Sequence, residues 1–258
     1  MKLPFQKYQA TGNDFVIMDN RQTALSFTEE QIQQICHRKF GIGADGLMLI
    51  EPHPTLNFTL QYYNADGSQS LCGNGSRAAV HFASKLGLVN GKTAFEAYDG
   101  PHDAELLSTG IVRLRMNDVS KVEQLENGDY FINTGSPHYI RFVTGIGEYP
   151  VFKNGREIRY SDAFKPGGTN VNFVELQGDN TIYVRTYERG VEDETLSCGT
   201  GVTAAALAAV ARGYKSPVRI KTLGGDLSVE FNSGQPGAFQ EIFLVGPAKM
   251  VFEGELEL

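Results

Sequence analysis

Tryptophan is absent from this 258-residue chain and cysteine occurs three times. No stretch reaches the roughly 18 uninterrupted apolar residues that a membrane span needs; VTAAALAAVA at 202–211 comes closest and is alanine-rich and short. The opening MKLPFQKYQATGNDF has no apolar run behind its early lysine, so no secretory leader and a cytoplasmic setting are expected. Basic charge is in deficit: 23 Lys and Arg against 30 Asp and Glu leave a net −7. That balance argues against nucleic acid or an anionic membrane as partner. Cys36, Cys72 and Cys198 are odd in number, far apart and without C-x-x-C spacing, which suggests neither a disulfide framework nor a zinc site.

What is present is the composition of an ordinary globular protein, 41 % apolar and 21 % charged, in a chain long enough for one large domain or two smaller ones. Strand-like runs lie at 15–18, 47–50, 58–63, 112–116, 130–132, 139–143, 173–176, 182–187, 218–222, 227–231, 239–245 and 249–252, most of them bounded by Gly, Asn or Asp. Three segments read as helices. One follows Thr28, with Gln31 completing a capping box and Ile32, Ile35 and Cys36 on one face. The small, apolar face of Cys36 marks it as a packing residue. The other two begin at Cys72 and Cys198.

Those last segments resemble each other. Cys72-Gly-Asn-Gly-Ser-Arg-Ala-Ala and Cys198-Gly-Thr-Gly-Val-Thr-Ala-Ala align without a gap at an offset of 126 residues, close to half the chain. Such an offset is the mark of an internal duplication. The expected fold is therefore α/β with two similar pseudo-symmetric domains, 1–122 carrying Cys72 and 123–258 carrying Cys198, the boundary falling in the polar stretch 117–129. The last strand can return to the first domain.

A cysteine in C-G-x-G ahead of an alanine-rich helix places its sulfur beside backbone N–H groups that have no helical acceptor. The flanking glycines clear space for a ligand. A positive helix end lowers a thiol pKa and binds carboxylates. Two such thiols suit removal of a proton from one face of a carbon and delivery of a proton to the other, which inverts a stereocentre. The helix ends would stabilise the enolate-like carboxylate, so no cofactor is required. Gly41-Ile-Gly-Ala-Asp-Gly46 fits a nucleotide fingerprint in letters only, because a helix precedes it and a strand follows.

With Cys72-Gly-Asn-Gly and Cys198-Gly-Thr-Gly in place, the chain closely resembles the diaminopimelate epimerase family over essentially its whole length. The resemblance includes Thr11-Gly-Asn-Asp-Phe15, Gly41-Ile-Gly-Ala-Asp-Gly46, Tyr63-Asn-Ala-Asp-Gly-Ser68, Pro137-His138, Asn170-Val-Asn-Phe173 and Glu188-Arg-Gly190. It implies two domains, each a mixed β-sheet wrapped around a central helix, with a cleft between them. It also implies interconversion of L,L- and meso-diaminopimelate for lysine and peptidoglycan precursors, without pyridoxal phosphate, by Cys72 and Cys198. Asn13, Asn64, Asn170, Glu188 and Arg189 would hold the distal end of the substrate. Gly73, Asn74, Gly199 and Thr200 would bind the reacting carboxylate, and His138 and Glu188 would tune the thiols. A homodimer is the family's habit.

Three places depart from the family pattern. Ser136 stands where asparagine is usual, Gly46 where some members have glutamine, and VEDETLS at 191–197 is more acidic and slightly longer. Other readings are a two-cysteine racemase resembling proline racemase, a non-catalytic small-molecule binding protein on the same scaffold, and a thiol redox protein. The Glu188-Arg189 pair and the asparagines favour a substrate with a second charged end.

Overall fold

A computed structural model describes residues 2–107 and 110–257. The chain divides into two units, Met1–Leu114 with Gly246–Leu258, and Arg115–Val245. The crossing thus falls at 114/115, ahead of 122/123. The reason is local: Met116 and Val119 are buried and donate their N–H groups to Ile242 and Phe239, which ties the polar stretch to the second unit.

In the first unit, β1 (Lys2–Ala10), β2 (Asn13–Asp19), β3 (Gly46–Glu51), β4 (Phe58–Asn64), β5 (Lys92–Ala97), β6 (Gly100–Leu106) and β7 (Ile111–Arg115) form a mixed sheet in chain order. β2–β3 and β4–β5 are parallel and the other neighbours antiparallel. Helix α1 (Glu29–Cys36) lies between β2 and β3, and α2 (Gly73–Lys85) between β4 and β5. The capping box of Thr28 and Gln31 is present.

The second unit repeats this plan. It holds β8 (Val122–Gln124), β9 (Tyr130–Asn133), β10 (Pro137–Phe142), α3 (Val151–Arg159), β11 (Asn170–Leu176) and β12 (Thr181–Glu188). It continues through β13 (Asp193–Thr195), α4 (Gly199–Ala209), β14 (Val218–Thr222), β15 (Gly225–Ser233) and β16 (Phe239–Pro247). Parallel pairs again fall at β10–β11 and β12–β14, with antiparallel partners elsewhere. The order of parallel and antiparallel steps from β9 to β16 matches that from β1 to β7, once the short β13 is set aside. The last strand, β17 (Lys249–Glu257), pairs antiparallel with β1 in the first unit.

Each sheet wraps one helix. α2 touches β1, β2, β3, β4, β6 and β17, while α4 touches β9, β10, β11, β12, β14 and β15. Ala78, Ala79, Val80 and Ala83 of α2 and every residue from Gly201 to Ala209 of α4 are buried. Small side chains let strands approach the helix from all sides. α1 and α3 cover the outer faces. Val16, Met18, Leu47 and Leu49 meet Ile32, Ile35 and Cys36 of α1, and Tyr139, Val171, Phe173 and Tyr187 meet Val151 of α3. β2, β3 and β11, covered on both faces, therefore read as continuous apolar runs.

The sequence pattern missed α3, β1, β5, β6, β8 and β13. α3 carries Gly155 in its interior, which weakens the helix signal. A Cβ there would lie 2.4 Å from Cβ of Tyr187, so glycine is what lets α3 sit against β12. β1 is disguised by Pro4 and by Lys7, which is buried and paired with Asp14. Pro4 is opposite Glu255 on β17 but beyond the residues that pair with β2.

Candidate active site

Within each unit the site residues share one sheet edge because of strand direction. In the first unit Phe15 and Asn64 both lie opposite Gly46, so the starts of β2 and β3 and the end of β4 share one edge of the sheet. In the second unit His138 lies opposite Asn170 and Tyr187 opposite Val171, which gives β10, β11 and β12 the same arrangement. Each central helix begins after the loop that leaves this edge, with Cys72 as the N-cap of α2 and Cys198 as the N-cap of α4. Gly73 and Asn74, and Gly199 and Thr200, open the first turns, whose N–H groups have no acceptor within the helix.

The two sulfurs have different neighbours. Sγ of Cys72 accepts from the Gly75 N–H at 3.4 Å and faces Oδ1 of Asn13 at 3.4 Å. The Asn13 amide nitrogen donates to Asp45, which turns its oxygen toward the thiol. Behind Cys72 lies Arg77, fully buried on α2, with one guanidinium nitrogen on Thr11 Oγ1 at 3.2 Å and Nε and Nη1 without a hydrogen-bond partner among the described residues. Burial pulls the Arg77 pKa down to about 10, opposed by the nearby Cys72. Asn64 is tied into its own turn, donating to Ser68 Oγ and accepting from Ser70 Oγ.

Sγ of Cys198 is 3.5 Å from Oγ1 of Thr200, and that hydroxyl is 2.9 Å from Nε2 of His138. His138 is fully buried, and burial, with the charge of Arg189 as a second cause, holds its pKa down to about 3. It is therefore neutral at ordinary pH. Asn170 donates to Ser136 Oγ and Pro137 O and accepts from the Arg189 N–H. β12 ends at Glu188, whose carboxylate accepts from Thr195 Oγ1 at 2.9 Å, and Arg189 follows with Nη1 toward Gly167 O.

The three departures have structural counterparts. Ser136 is the partner of Asn170 rather than an empty position. At Gly46 a Cβ would lie 2.4 Å from the Tyr62 ring, so this chain has no room for a side chain there. The acidic 191–197 segment is occupied with structure: Glu192 accepts from Arg159 and Tyr160, and Glu194 pairs with Arg185 at 2.6 Å. Cys36 lies in the α1 core, where burial pushes its thiol up to about 11. The G-x-G-x-x-G segment is the turn between α1 and β3.

The diaminopimelate epimerase family model matches residues 5–122 and 130–251. The chain belongs to the diaminopimelate epimerase family. A diaminopimelate epimerase of Flavobacterium psychrophilum is 47 % identical over 96 % of this chain and 97 % of its own. Those of Chlorobaculum tepidum and Aquifex aeolicus are 43 % and 41 % identical, covering 96 % and 98 % of this chain and 98 % of each relative. Among solved structures, a Bacillus anthracis phenazine biosynthesis protein of the PhzF family superposes with a TM-score of 0.79 at 14 % identity, over 100 % of both chains. A probable proline racemase from Agrobacterium radiobacter gives 0.68 at 14 % identity, covering 99 % of this chain and 93 % of that one. At such identity these two show the fold alone.

Sequence reasoning missed Asn172, Thr186, Arg77 and the side chain of Thr200. A detectable signal existed for Asn172, since an asparagine inside the apolar run Val171 to Val174 is a polar residue on a strand buried on both faces.

Proposed function

We propose that this protein is an amino-acid epimerase that interconverts L,L- and meso-diaminopimelate, with Cys72 and Cys198 as its acid–base pair. The observation that carries the reading is the equivalent placement of the two thiols, each the N-cap of the central helix in one of two units of matching topology. Family membership supplies the substrate class. The enzyme is an isomerase: one thiolate takes the α-proton, the other thiol returns a proton to the opposite face, and nothing is oxidised or reduced. The N–H groups of Gly73, Asn74, Gly199 and Thr200 hold the reacting carboxylate as it gains enolate charge. Asn13, Asn64, Asn170, Glu188 and Arg189 bind the distal amino-acid end, Arg189 offering a planar fork for its carboxylate and Glu188 an acceptor for its ammonium. His138 and Glu188 set the state of the thiols.

We further read the enzyme as a cytoplasmic homodimer acting in lysine and peptidoglycan precursor synthesis. Three free cysteines support a reducing compartment. Among the described residues no helix is long and apolar enough to cross a membrane. The exposed run Met250, Val251 and Phe252 on β17 supports association with a second copy, which light scattering on the purified protein checks.

The deciding experiment follows solvent deuterium into the α-position of L,L- and meso-diaminopimelate, with proline and lysine as comparisons. Exchange and epimerisation of diaminopimelate alone are expected. Cys72→Ala and Cys198→Ala should each reduce epimerisation by at least about a thousandfold, since neither acid nor base can be spared. Absence of exchange by fully reduced protein would overturn the proposal, and full epimerisation by either variant would overturn the two-base assignment.

A further inference from the structure

We propose that Asn172 is a positioning residue that fixes the tautomer of His138, so that a one-way chain of hydrogen-bond donors ends on Sγ of Cys198. The proposal deepens the acid–base role of Cys198 and rests on it for its kinetic meaning.

The chain starts at a group that can only accept. The Asn172 amide nitrogen lies 3.1 Å from the backbone oxygen of Tyr139 and 3.1 Å from Nδ1 of His138. Because a carbonyl cannot donate, the Tyr139 oxygen demands the amide NH2 on its side. On the other side, Oδ1 of Asn172 accepts from the Thr186 hydroxyl at 2.9 Å, which opposes rotation of the amide. The second amide hydrogen therefore points at Nδ1 of His138, which must carry a lone pair. The proton of the neutral ring then sits on Nε2 and is donated to Oγ1 of Thr200, 2.9 Å away. With that oxygen accepting from the ring, its own hydrogen is free to turn toward Sγ of Cys198 at 3.5 Å. A thiolate is the form of Cys198 that gains from this.

The reverse chain has no ending. If Cys198 donated to Thr200, and Thr200 to Nε2, the ring proton would lie on Nδ1 and face the amide hydrogens. Protonation of both nitrogens meets the same obstacle in a ring with no exposed surface. The charge of Arg189 also opposes an imidazolium.

Comparison of the two units shows that the fold does not call for these polar groups. Register places Phe15 where the second unit has His138, and Met48 opposite Tyr62 where it has Asn172 opposite Thr186. Met48 and Asn172 even occupy the same space against the central helix. A Cβ on Gly75 would lie 2.3 Å from Cε of Met48, and one on Gly201 would lie 2.3 Å from Oδ1 of Asn172. One unit fills this layer with Phe15, Met48 and the ring of Tyr62. The other fills it with a buried, fully directed polar chain, which is harder to satisfy.

The test uses the intact protein. In 15N-histidine-labelled wild type, His138 should show a protonated Nε2 and an unprotonated Nδ1 across about pH 5 to 9. Alkylation of Cys198 by iodoacetamide, followed by peptide mass spectrometry, reads its thiolate character. Thr200→Val, which keeps the shape and loses the hydroxyl, should slow that alkylation about tenfold or more, and Thr200→Ser should restore it. Asn172→Asp should move the ring proton to Nδ1 and slow alkylation likewise. A proton on Nδ1 in the wild type, or Thr200→Val alkylated at the wild-type rate, overturns the proposal. Failure of the wild type to epimerise diaminopimelate while these readouts hold would remove the proposed function and leave the relay standing.

Discussion

Arg77 shows how a single residue distinguishes the two thiols. A guanidinium buried without full hydrogen bonding is a cost, and Nε and Nη1 lack partners among the described residues. Its benefit goes to the neighbouring Cys72, whose thiolate it would attract. Arg77→Met keeps the length and removes the charge. We expect it to change stability little, because apolar replacement of a buried ion is often neutral, and to slow iodoacetamide alkylation of Cys72 by about tenfold. Equal alkylation of Cys72 in the variant and the wild type would show that Arg77 is there for packing alone. The corresponding residue on α4 is Thr203, which donates to its own helix at Gly199 O. The two helix starts alike in C-G-x-G thus present a cation behind one sulfur and a neutral hydroxyl chain beside the other.

At the scale of elements, close approach decides the glycines. Gly155 faces the anchored Cβ of Tyr187 and not a flexible tip, so Gly155→Ala should destabilise the protein by about 1–3 kcal/mol despite the better helix propensity of alanine. Urea unfolding measures this, and a stabilised variant would mean that α3 shifts freely on β12. This same glycine explains why α3 escaped a periodicity reading, while α2 and α4 announced themselves through the paired cysteine motif. β2, β3 and β11 were legible because burial on both faces leaves apolar runs. β5 and β6 were not, because polar residues such as Glu96 and Asp103 alternate with more buried ones on a sheet covered on one face. The repeated loop residues pointed to the thiols and helix starts directly. The resemblance named Asn170, Glu188, Arg189 and His138. Asn172 is marked in the sequence as a polar residue within an apolar run, but its pairing with Thr186 is not, because the orientation of one amide depends on strand pairing and is invisible to spacing.

For the whole molecule, two groups set different acid limits. His138 is held neutral with a pKa of about 3, whereas an unfolded histidine titrates near 6.5. The unfolded chain therefore binds a proton that the native chain refuses as pH falls below about 6.5, and stability drops by about 1.4 kcal/mol per pH unit from this group. His138→Gln should flatten that slope between about pH 6 and 4, as read from urea midpoints, and an unchanged slope would contradict a neutral buried ring. Asp14 acts lower down. Burial works to raise its pKa, but hydrogen bonds and charge from Arg38 and Lys7 prevail and hold it at about 2. Its contribution is complete above about pH 4 and disappears as pH falls toward 2.

The pairing of β17 with β1 has a consequence for the order in which the chain can be finished. The second unit is one continuous stretch, Arg115–Val245, set within a first unit whose remaining strand comes only after it. During synthesis the later unit can close as soon as its own residues are free of the ribosome, while the earlier one waits with an edge of β1 unoccupied. The half that is translated first is thus the half completed last, and its open strand edge is where a stalled or shortened chain would seek a substitute partner.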